Sequence, residues 1–398
     1  MEPVRELLPQ GQLLLPLPGA VHAGARLVKE GSTVTKYEPL TCPQTHAPVN
    51  SPVNGTIREL RPITHPLLGE TVCAVLEPET AKKGRAGKLR LEEGVDTSVP
   101  EGILAVAQAA GIVDEYDGVP LYHKLKRFHR FGRDLLCGVI LDEETYVCGS
   151  EAAFREAPEE LAAGLELAAK ACGAEEWRIA VASLKRLQGV DWVREHREKM
   201  EEAGLVYPSW AMLEKRLRAA GKTPERIGAQ ACIALYRAVK KGTPQVKTVV
   251  TVAGEQVKQP ANLRVMIGTP LRELLDECGC LPESRIFVGS PMTGKLVEDL
   301  ELPVTADTRC VIASPHTREI HTYACIGCGR CAAVCPEKIL PWYLYENLQR
   351  GGYTDPEQLL RAQNCRGCNS CSAVCPSGIS LGKAVRTAAE VRERSGWE

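Results

Sequence analysis

Two cysteine runs near the end of the chain constrain it more than any other feature. Cys325-Ile-Gly-Cys328-Gly-Arg-Cys331-Ala-Ala-Val-Cys335-Pro336 and Cys365-Arg-Gly-Cys368-Asn-Ser-Cys371-Ser-Ala-Val-Cys375-Pro376 both read C-x2-C-x2-C-x3-C-P, the second 40 residues after the first. Three thiolates two residues apart can wrap one face of a cubane cluster. Gly327, Gly329 and Gly367 let backbone N–H groups approach its sulfides, and the proline turns the chain away. In two-cluster ferredoxins the last cysteine of each run ligates the other cluster. That rule assigns Cys325, Cys328, Cys331 and Cys375 to one [4Fe–4S] centre and Cys365, Cys368, Cys371 and Cys335 to its neighbour. A zinc ribbon would instead need two cysteine pairs separated by a hairpin. Between the runs, Ile339, Leu340, Trp342, Leu344, Leu348, Leu359 and Leu360 recur at helical spacing, so helix separates the loops. With a closing helix from about Leu381 to Arg394, residues 315–398 read as an α-helical ferredoxin domain.

Seventeen cysteines among 398 residues, eight of them in this repeat, favour metal ligation in a reducing compartment over a disulfide framework. Forty-nine Lys and Arg against 50 Asp and Glu leave a net charge of −1, with no bulk basic field for nucleic acid. The uncharged runs Leu7 to Ala25 and Pro39 to Ile57 are broken by prolines or by many polar residues, so no transmembrane segment is expected. Glu2 and Glu6 beside Arg5, without a clean apolar stretch after them, argue against a secretory signal. The expected location is cytoplasmic, with peripheral association with a membrane complex left open.

The rest of the chain reads as multidomain α/β and α+β. Residues 12–80 hold short β-like runs punctuated by Gly, Pro and Asn, as in a small sandwich. Val28-Lys-Glu-Gly-Ser-Thr-Val34 and Ser51-Pro-Val-Asn-Gly-Thr-Ile57 resemble the barrel-sandwich hybrid of biotinyl and lipoyl carriers. The exposed hairpin Thr41 to His46 lacks the lysine a carrier needs, so covalent biotin or lipoate is discounted. His46 and His65 read as solvated loop histidines rather than ligands. Over 98–243 strand and helix alternate, implying a parallel α/β layer. Its expected parts include strands Leu135 to Leu141, Arg178 to Ser183 and Leu205 to Pro208, and helices over 157–172, 190–203 and 224–241. Residues 244–314 hold a hairpin over Thr248 to Val257, a helix opened by Thr269-Pro270 as N-cap and first residue, and a returning strand near Ile286. Together these make a β-grasp unit.

In this order the parts resemble the C subunit of the Rnf electron-transport complex and its soluble relatives. The resemblance rests on the N-terminal sandwich, on Val252-Ala-Gly-Glu-Gln-Val-Lys258 and Gly268-Thr-Pro-Leu-Arg272 of a soluble-ligand-binding β-grasp (SLBB) domain, on Gly289-Ser-Pro-Met-Thr-Gly294, and on both cysteine motifs. It implies a central domain like the flavin subunit of respiratory complex I, which takes hydride from NADH on FMN and passes single electrons to clusters.

The resemblance weakens at the nucleotide motifs. Where the family carries Gly-Leu-Gly-Gly-Ala-Gly-Phe-Pro-Thr, this chain has Gly111-Ile-Val-Asp-Glu-Tyr-Asp-Gly118-Val-Pro120. Backbone amides cradle phosphate only where side chains and negative charge are absent, so the three acids are expected to repel it. The Asn-Gly-Ala-Glu-Cys-Glu-Pro segment has become Leu141-Asp-Glu143-Glu144-Thr-Tyr146, and Pro-Gln-Gly-Gly has become Pro208-Ser-Trp-Ala211. The reading that follows is a relay: two [4Fe–4S] clusters fed by a partner flavoprotein or ferredoxin and delivering electrons to a terminal reductase. The α/β domain is then a descendant of an NADH and FMN site. The alternative is an NADH-dependent oxidoreductase subunit that keeps FMN near Gly111, Gly118, Glu143 and Glu144. A non-redox scaffold would leave eight cysteines unexplained.

One dense basic run, Lys124, Lys126, Arg127, His129, Arg130 and Arg133, offers a docking patch for an acidic redox partner, with Lys124, Lys126, Arg127, Arg130 and Arg133 as contacts. A solvated helix face is the plainer reading of such a run. Cys278-Gly-Cys280 is the scattered pair that could be redox active, although free cysteine is usually a small buried hydrophobe.

Overall fold

The computed structural model describes residues 3–19, 26–42, 47–79, 87–91, 94–204, 209–315, 321–351, 357 and 361–395. The chain divides into two compact units, Met1–Ser290 with Lys295–Pro315 and Pro291–Gly294 with His316–Glu398.

The first unit opens with β1 (Val4–Glu6), β2 (Leu13–Pro16), β3 (Thr33–Val34), β4 (Gly55–His65) and β5 (Gly69–Pro78). Four of these form an antiparallel sheet in the order β2-β5-β4-β3. Side chains two apart share a face of a strand. Leu13, Leu15 and Leu17 therefore bury together with Ala74 and Leu76 against Val34, Leu40 and Ile57. His65 corrects the expectation of a solvated loop histidine. It is buried at the end of β4, with Nε2 3.0 Å from the Pro303 carbonyl and Nδ1 accepting the Leu67 amide at 3.2 Å. His46 lies outside the described residues.

Strand and helix then alternate through α1 (Pro100–Ala109), α2 (Leu121–Arg130), β6 (Leu135–Val139), α3 (Gly149–Glu156), α4 (Pro158–Cys172), β7 (Glu176–Val181), α5 (Asp191–Glu195), β8 (Met200–Glu202), α6 (Trp210–Ala219), β9 (Pro224–Gly228) and α7 (Ala229–Lys241). The strands make a parallel sheet in the order β8-β7-β6-β9. Helix α4 has proline at its start, Glu159 and Glu160 in its first turn and Gly173 in the left-handed conformation at its end, each favourable where it stands. It packs so closely on α7 that a Cβ at Gly164 would strike the Cys232 carbonyl.

Two sequence expectations fail here. The helix read over 190–203 is only α5 followed by a 3-10 turn, because Met200–Glu202 pairs in parallel with Ile179–Val181. Sheet pairing overrides a segment whose local preference is helical. The helix read over 224–241 begins at Ala229, since Pro224–Gly228 is a strand beside β6. The strand read at 205–208 lies outside the described residues.

The unit closes with β10 (Lys247–Ala253), β11 (Ala261–Met266), α8 (Leu271–Glu277), β12 (Arg285–Val288), β13 (Lys295–Val297) and β14 (Cys310–Ser314). These strands and β1 form a sheet in the order β1-β11-β10-β14-β12-β13, over a core that includes Val250, Val252, Leu263, Val265, Leu274 and Val311. Helix α8 is capped by Pro270, one residue later than the expected Thr269.

The second unit repeats itself. Helices α9 (Arg330–Ala333) and α10 (Pro341–Gln349) are followed by α11 (Ser370–Ala373) and α12 (Leu381–Ser395), whose starts lie 40 residues after their counterparts. Backbone dihedrals repeat at the same interval: φ is 65° and 70° at Gly327 and Gly367, 70° and 56° at Gly329 and Asn369, and 53° and 65° at Lys338 and Gly378. A left-handed residue just before each short helix and another after the fourth cysteine give each run the same turn. Ile339, Leu344, Ala362, Val385 and Ala388 form the core between α10 and α12. Among the described residues of the whole chain, no helix is long and apolar enough to cross a membrane.

Candidate functional site

Cysteines of the two runs meet in shared apolar clusters. Cys375, from the second run, shares an apolar cluster with Cys325 and Cys331 of the first, around Ile379 and Leu381, where Cys371 also packs. Cys335, from the first run, packs with Cys365 against Ile339, Leu344 and Val385. Burial raises the Cys335 thiol, and the neighbouring Cys368 and Cys365 raise it further, so all three lie within electrostatic reach. The Cys371 thiol is pushed up to about 11 by burial, with Cys368 and Cys365 adding to it. Backbone amides point at the sulfurs: Ile339 N–H donates to Cys335 Sγ at 3.4 Å, and the Trp342 amide bonds Cys331. Soft thiolates in an apolar setting, met by backbone donors, are the donor set an iron–sulfur cluster requires. Among the described residues no three His, Cys, Asp or Glu side chains converge as ligands of a single ion. A cubane takes its thiolates at four separate irons.

The first unit carries a second constellation, at the carboxyl ends of the parallel sheet. Its order reverses beside β6, with β7 on one side and β9 on the other. Open α/β sheets bind ligands in the crevice at such a switch point. Here the chain itself fills that crevice. Asp114 Oδ2 accepts the Gly228 amide at 3.1 Å, and Glu115 accepts the amides of Gln230 at 2.8 Å and Ala231 at 3.1 Å. Those donors are the head of α7, where unsatisfied N–H groups and the helix dipole favour an anion. A Cβ at position 228 would run into the Glu115 carboxylate, so any larger residue there would displace Glu115 from the helix amides. Burial, and then the charge of Asp114, push the Glu115 carboxyl up to about 7, against the pull of the Gln230 amide.

The next residue supplies a ring. Tyr116 lies between Arg226 and Arg309, whose guanidinium carbons stand 4.6 and 4.3 Å from its centroid, and its hydroxyl donates to the Leu141 carbonyl. Burial, with Glu143 nearby, holds that hydroxyl protonated well above the usual range. Glu143 accepts the Trp210 amide at 2.8 Å, while Asp142 accepts the Glu151 amide at the head of α3 at 3.0 Å and pairs with Arg309 at 3.3 Å. Gly111 and Gly118 have φ of 62° and 70°, and a Cβ at Gly111 would strike the Pro48 carbonyl. Glu144 is half-buried. The acids were expected to face a ligand and repel it. Asp114 and Glu115 instead point inward and take the helix amides themselves. Sequence reasoning missed Tyr116, Arg226 and Arg309, which come from three distant segments with no shared local signal.

Lys124 is a correction. Its side chain is 1% exposed, with Nζ 2.5 Å from Asp114 and 2.9 Å from Asp117, so it neutralises the loop and cannot meet a partner. Lys126, Arg127 and Arg130 stand exposed on α2, and Arg133 pairs with Glu225 at 3.1 Å. Arg130 and Arg133 flank the ring of Phe131, which is 58% exposed. Cys278 is fully buried, and burial pushes its thiol up to about 11, the opposite of what a reactive pair needs.

A 4Fe-4S dicluster domain model matches residues 324–379, and an SLBB domain model matches residues 249–294. The C subunit of the ion-translocating oxidoreductase complex of Rhodobacter capsulatus is 29% identical over 371 residues, a match that takes in 85% of this chain and 70% of that protein. Its counterpart of the same name in Vibrio cholerae is 27% identical over 376 residues, 87% of this chain but 48% of its own length, so the chain spans about half of that relative. A chain of an air-oxidized NAD+-reducing [NiFe]-hydrogenase superposes with a TM-score of 0.50 at 18% identity, over 73% of this chain and 61% of that one, a likeness of fold alone. By this similarity along most of its length, and with its SLBB and dicluster domains, the chain is a homologue of the C subunits of ion-translocating oxidoreductase complexes.

Proposed function

We propose that this chain is an iron–sulfur electron-transfer subunit that relays single electrons between a redox partner protein and a terminal reductase, as one member of a multisubunit system. Cys325, Cys328, Cys331 and Cys375 would hold one [4Fe–4S] cluster and Cys365, Cys368, Cys371 and Cys335 the other. What supports this reading is that the fourth cysteine of each run packs beside cysteines of the other, Cys375 with Cys325 and Cys331 and Cys335 with Cys365. When bound, each cluster supplies storage for one electron. The chain's own residues hold the two sites side by side, exclude water with Ile339, Leu344, Ile379 and Leu381, and aim backbone amides at the sulfurs.

Electrons enter from a protein, in this reading, because the nucleotide crevice is closed by its own loop. Asp114 and Glu115 hold the amides that a phosphate would need, and Tyr116 occupies the space between two arginines. The exposed Lys126, Arg127 and Arg130, with Arg133, would steer an acidic partner by long-range charge. The barrel-sandwich and complex-I-like domains, with boundaries at 12–80 and 98–243, serve as scaffold in the same reading.

The test is anaerobic purification followed by iron, sulfide and flavin analysis, with optical and EPR spectra before and after NADH. About eight irons, no flavin, reduction by dithionite and no response to NADH support the relay. Stoichiometric FMN with NADH-reducible clusters would instead establish an NADH-oxidising subunit.

A further inference from the structure

We propose that the loop from Tyr323 to Val334 is the port through which this chain exchanges electrons with a small acidic electron-transfer protein, the cluster of Cys325, Cys328, Cys331 and Cys375 being the outer of the two. The proposal rests on the reading of the eight cysteines as cluster ligands. It comes from a difference between two loops that turn alike.

Within the loops φ agrees at Gly327 and Gly367 and at Gly329 and Asn369, so the two runs turn alike there. Their outer side chains are not alike. Tyr323 is 65% exposed, Ile326 70% and Val334 36%, all on the segment that carries three ligands of the first cluster. At the first two of these positions the second repeat has Gln363 and Arg366, and Val374 at the third is half-buried. Arg366 stands 3.4 Å from Glu337, and Asn369 donates to the Met292 carbonyl at 2.8 Å and accepts from Arg386 at 3.2 Å. The second loop is thus tied into its own unit. The cysteines follow the same division: Cys328 is exposed, while its counterpart Cys368 is half-buried.

Scattered surface hydrophobics need no explanation, but three on one twelve-residue loop around an exposed ligand do. Electron transfer falls steeply with distance, so the shortest route out lies at the most exposed ligand. Partners in such exchange dock over small, partly apolar surfaces and part quickly. From His321 to Val334 the sequence has Arg330 and no acidic residue, which fits a partner whose docking face is negative. The step is one electron, with no bond made or broken and no proton moved: this chain is oxidised by one and the partner reduced by one, or the reverse.

The experiment uses the full chain, anaerobically purified, with 15N-labelled flavodoxin as the acidic protein probe. Tyr323→Gln with Ile326→Gln replaces both exposed apolar side chains without altering the charge of the loop. Arg366→Ile is the control in the second loop. Iron content and EPR signals are read first, then flavodoxin line broadening, then stopped-flow electron exchange with flavodoxin and with dithionite. The double variant should keep about eight irons and both EPR signals, bind flavodoxin roughly ten-fold more weakly, and exchange electrons with it correspondingly more slowly, with dithionite reduction unchanged. Arg366→Ile should bind like the wild type. With irons present, unchanged binding in the double variant, or no binding by the wild type, overturns the port. Absence of iron overturns the relay reading instead.

Discussion

Lys124 Nζ lies 2.5 Å from Asp114 Oδ2, and both side chains are sealed from water. Breaking a buried pair leaves one charge uncompensated, which costs about 3–5 kcal/mol. Lys124→Ala is therefore expected to lower the unfolding free energy by that amount, while Lys126→Ala, two residues along the same helix and exposed, changes it by less than about 0.5 kcal/mol. Urea melts of the two variants check this. Equal midpoints would place Lys124 at the surface.

The same crevice predicts a pH dependence. The Glu115 carboxyl is pushed up to about 7 from an ordinary value of 4.5. Between those values the unfolded chain releases a proton that the folded chain keeps, so Glu115 makes stability fall as pH rises through this window and level off above it. The loss amounts to about 3 kcal/mol at most. Glu115→Gln cannot titrate, so its unfolding free energy should fall less than that of the wild type between about pH 5 and pH 8. Parallel curves for the two proteins would mean that Glu115 is ionised throughout.

The proposed crossed ligation makes a prediction that separates the two clusters. Cys335→Ser removes a residue of the first run, yet the cluster lost or converted should be the one held by Cys365, Cys368 and Cys371, with the other intact. Resolved EPR signals, assigned with Cys325→Ser as the reference, decide the matter. Loss of the same signal in both variants would mean that each run serves its own cluster.

Asn369 has φ of 56° and also anchors its loop through Met292 and Arg386. Asn369→Ala loses both bonds and adds the cost of holding a Cβ in the left-handed region, about 1–2 kcal/mol. Asn369→Gly loses the bonds alone, and Gly329 occupies the matching position in the first repeat. The glycine variant should therefore melt above the alanine variant by several degrees in calorimetry of the iron-loaded protein.

Much of this architecture was legible because it is written in local signals. The cysteine spacing, the leucine periodicity of α4 and the glycine after it each act within a few residues. The failures lie where distant segments decide. Met200–Glu202 and Pro224–Gly228 become strands only because β7 and β6 offer them partners. Lys124 reads as part of a basic run and turns inward because Asp114 and Asp117 precede it on a folded-back loop. The loop's acids were legible in the sequence, but not that they would accept the amides at the head of α7. That role depends on α7 starting directly beneath them, at Ala229.

The head of α7 has a further bearing on how the molecule is made. Its buried amides are satisfied by Asp114 and Glu115, residues synthesised more than 100 positions earlier in the same chain. Nothing has to be supplied from outside to complete that part of the first unit. Domains fold as units during synthesis, the N-terminal ones first. The first unit can thus close around its own loop while the cysteine runs are still on the ribosome.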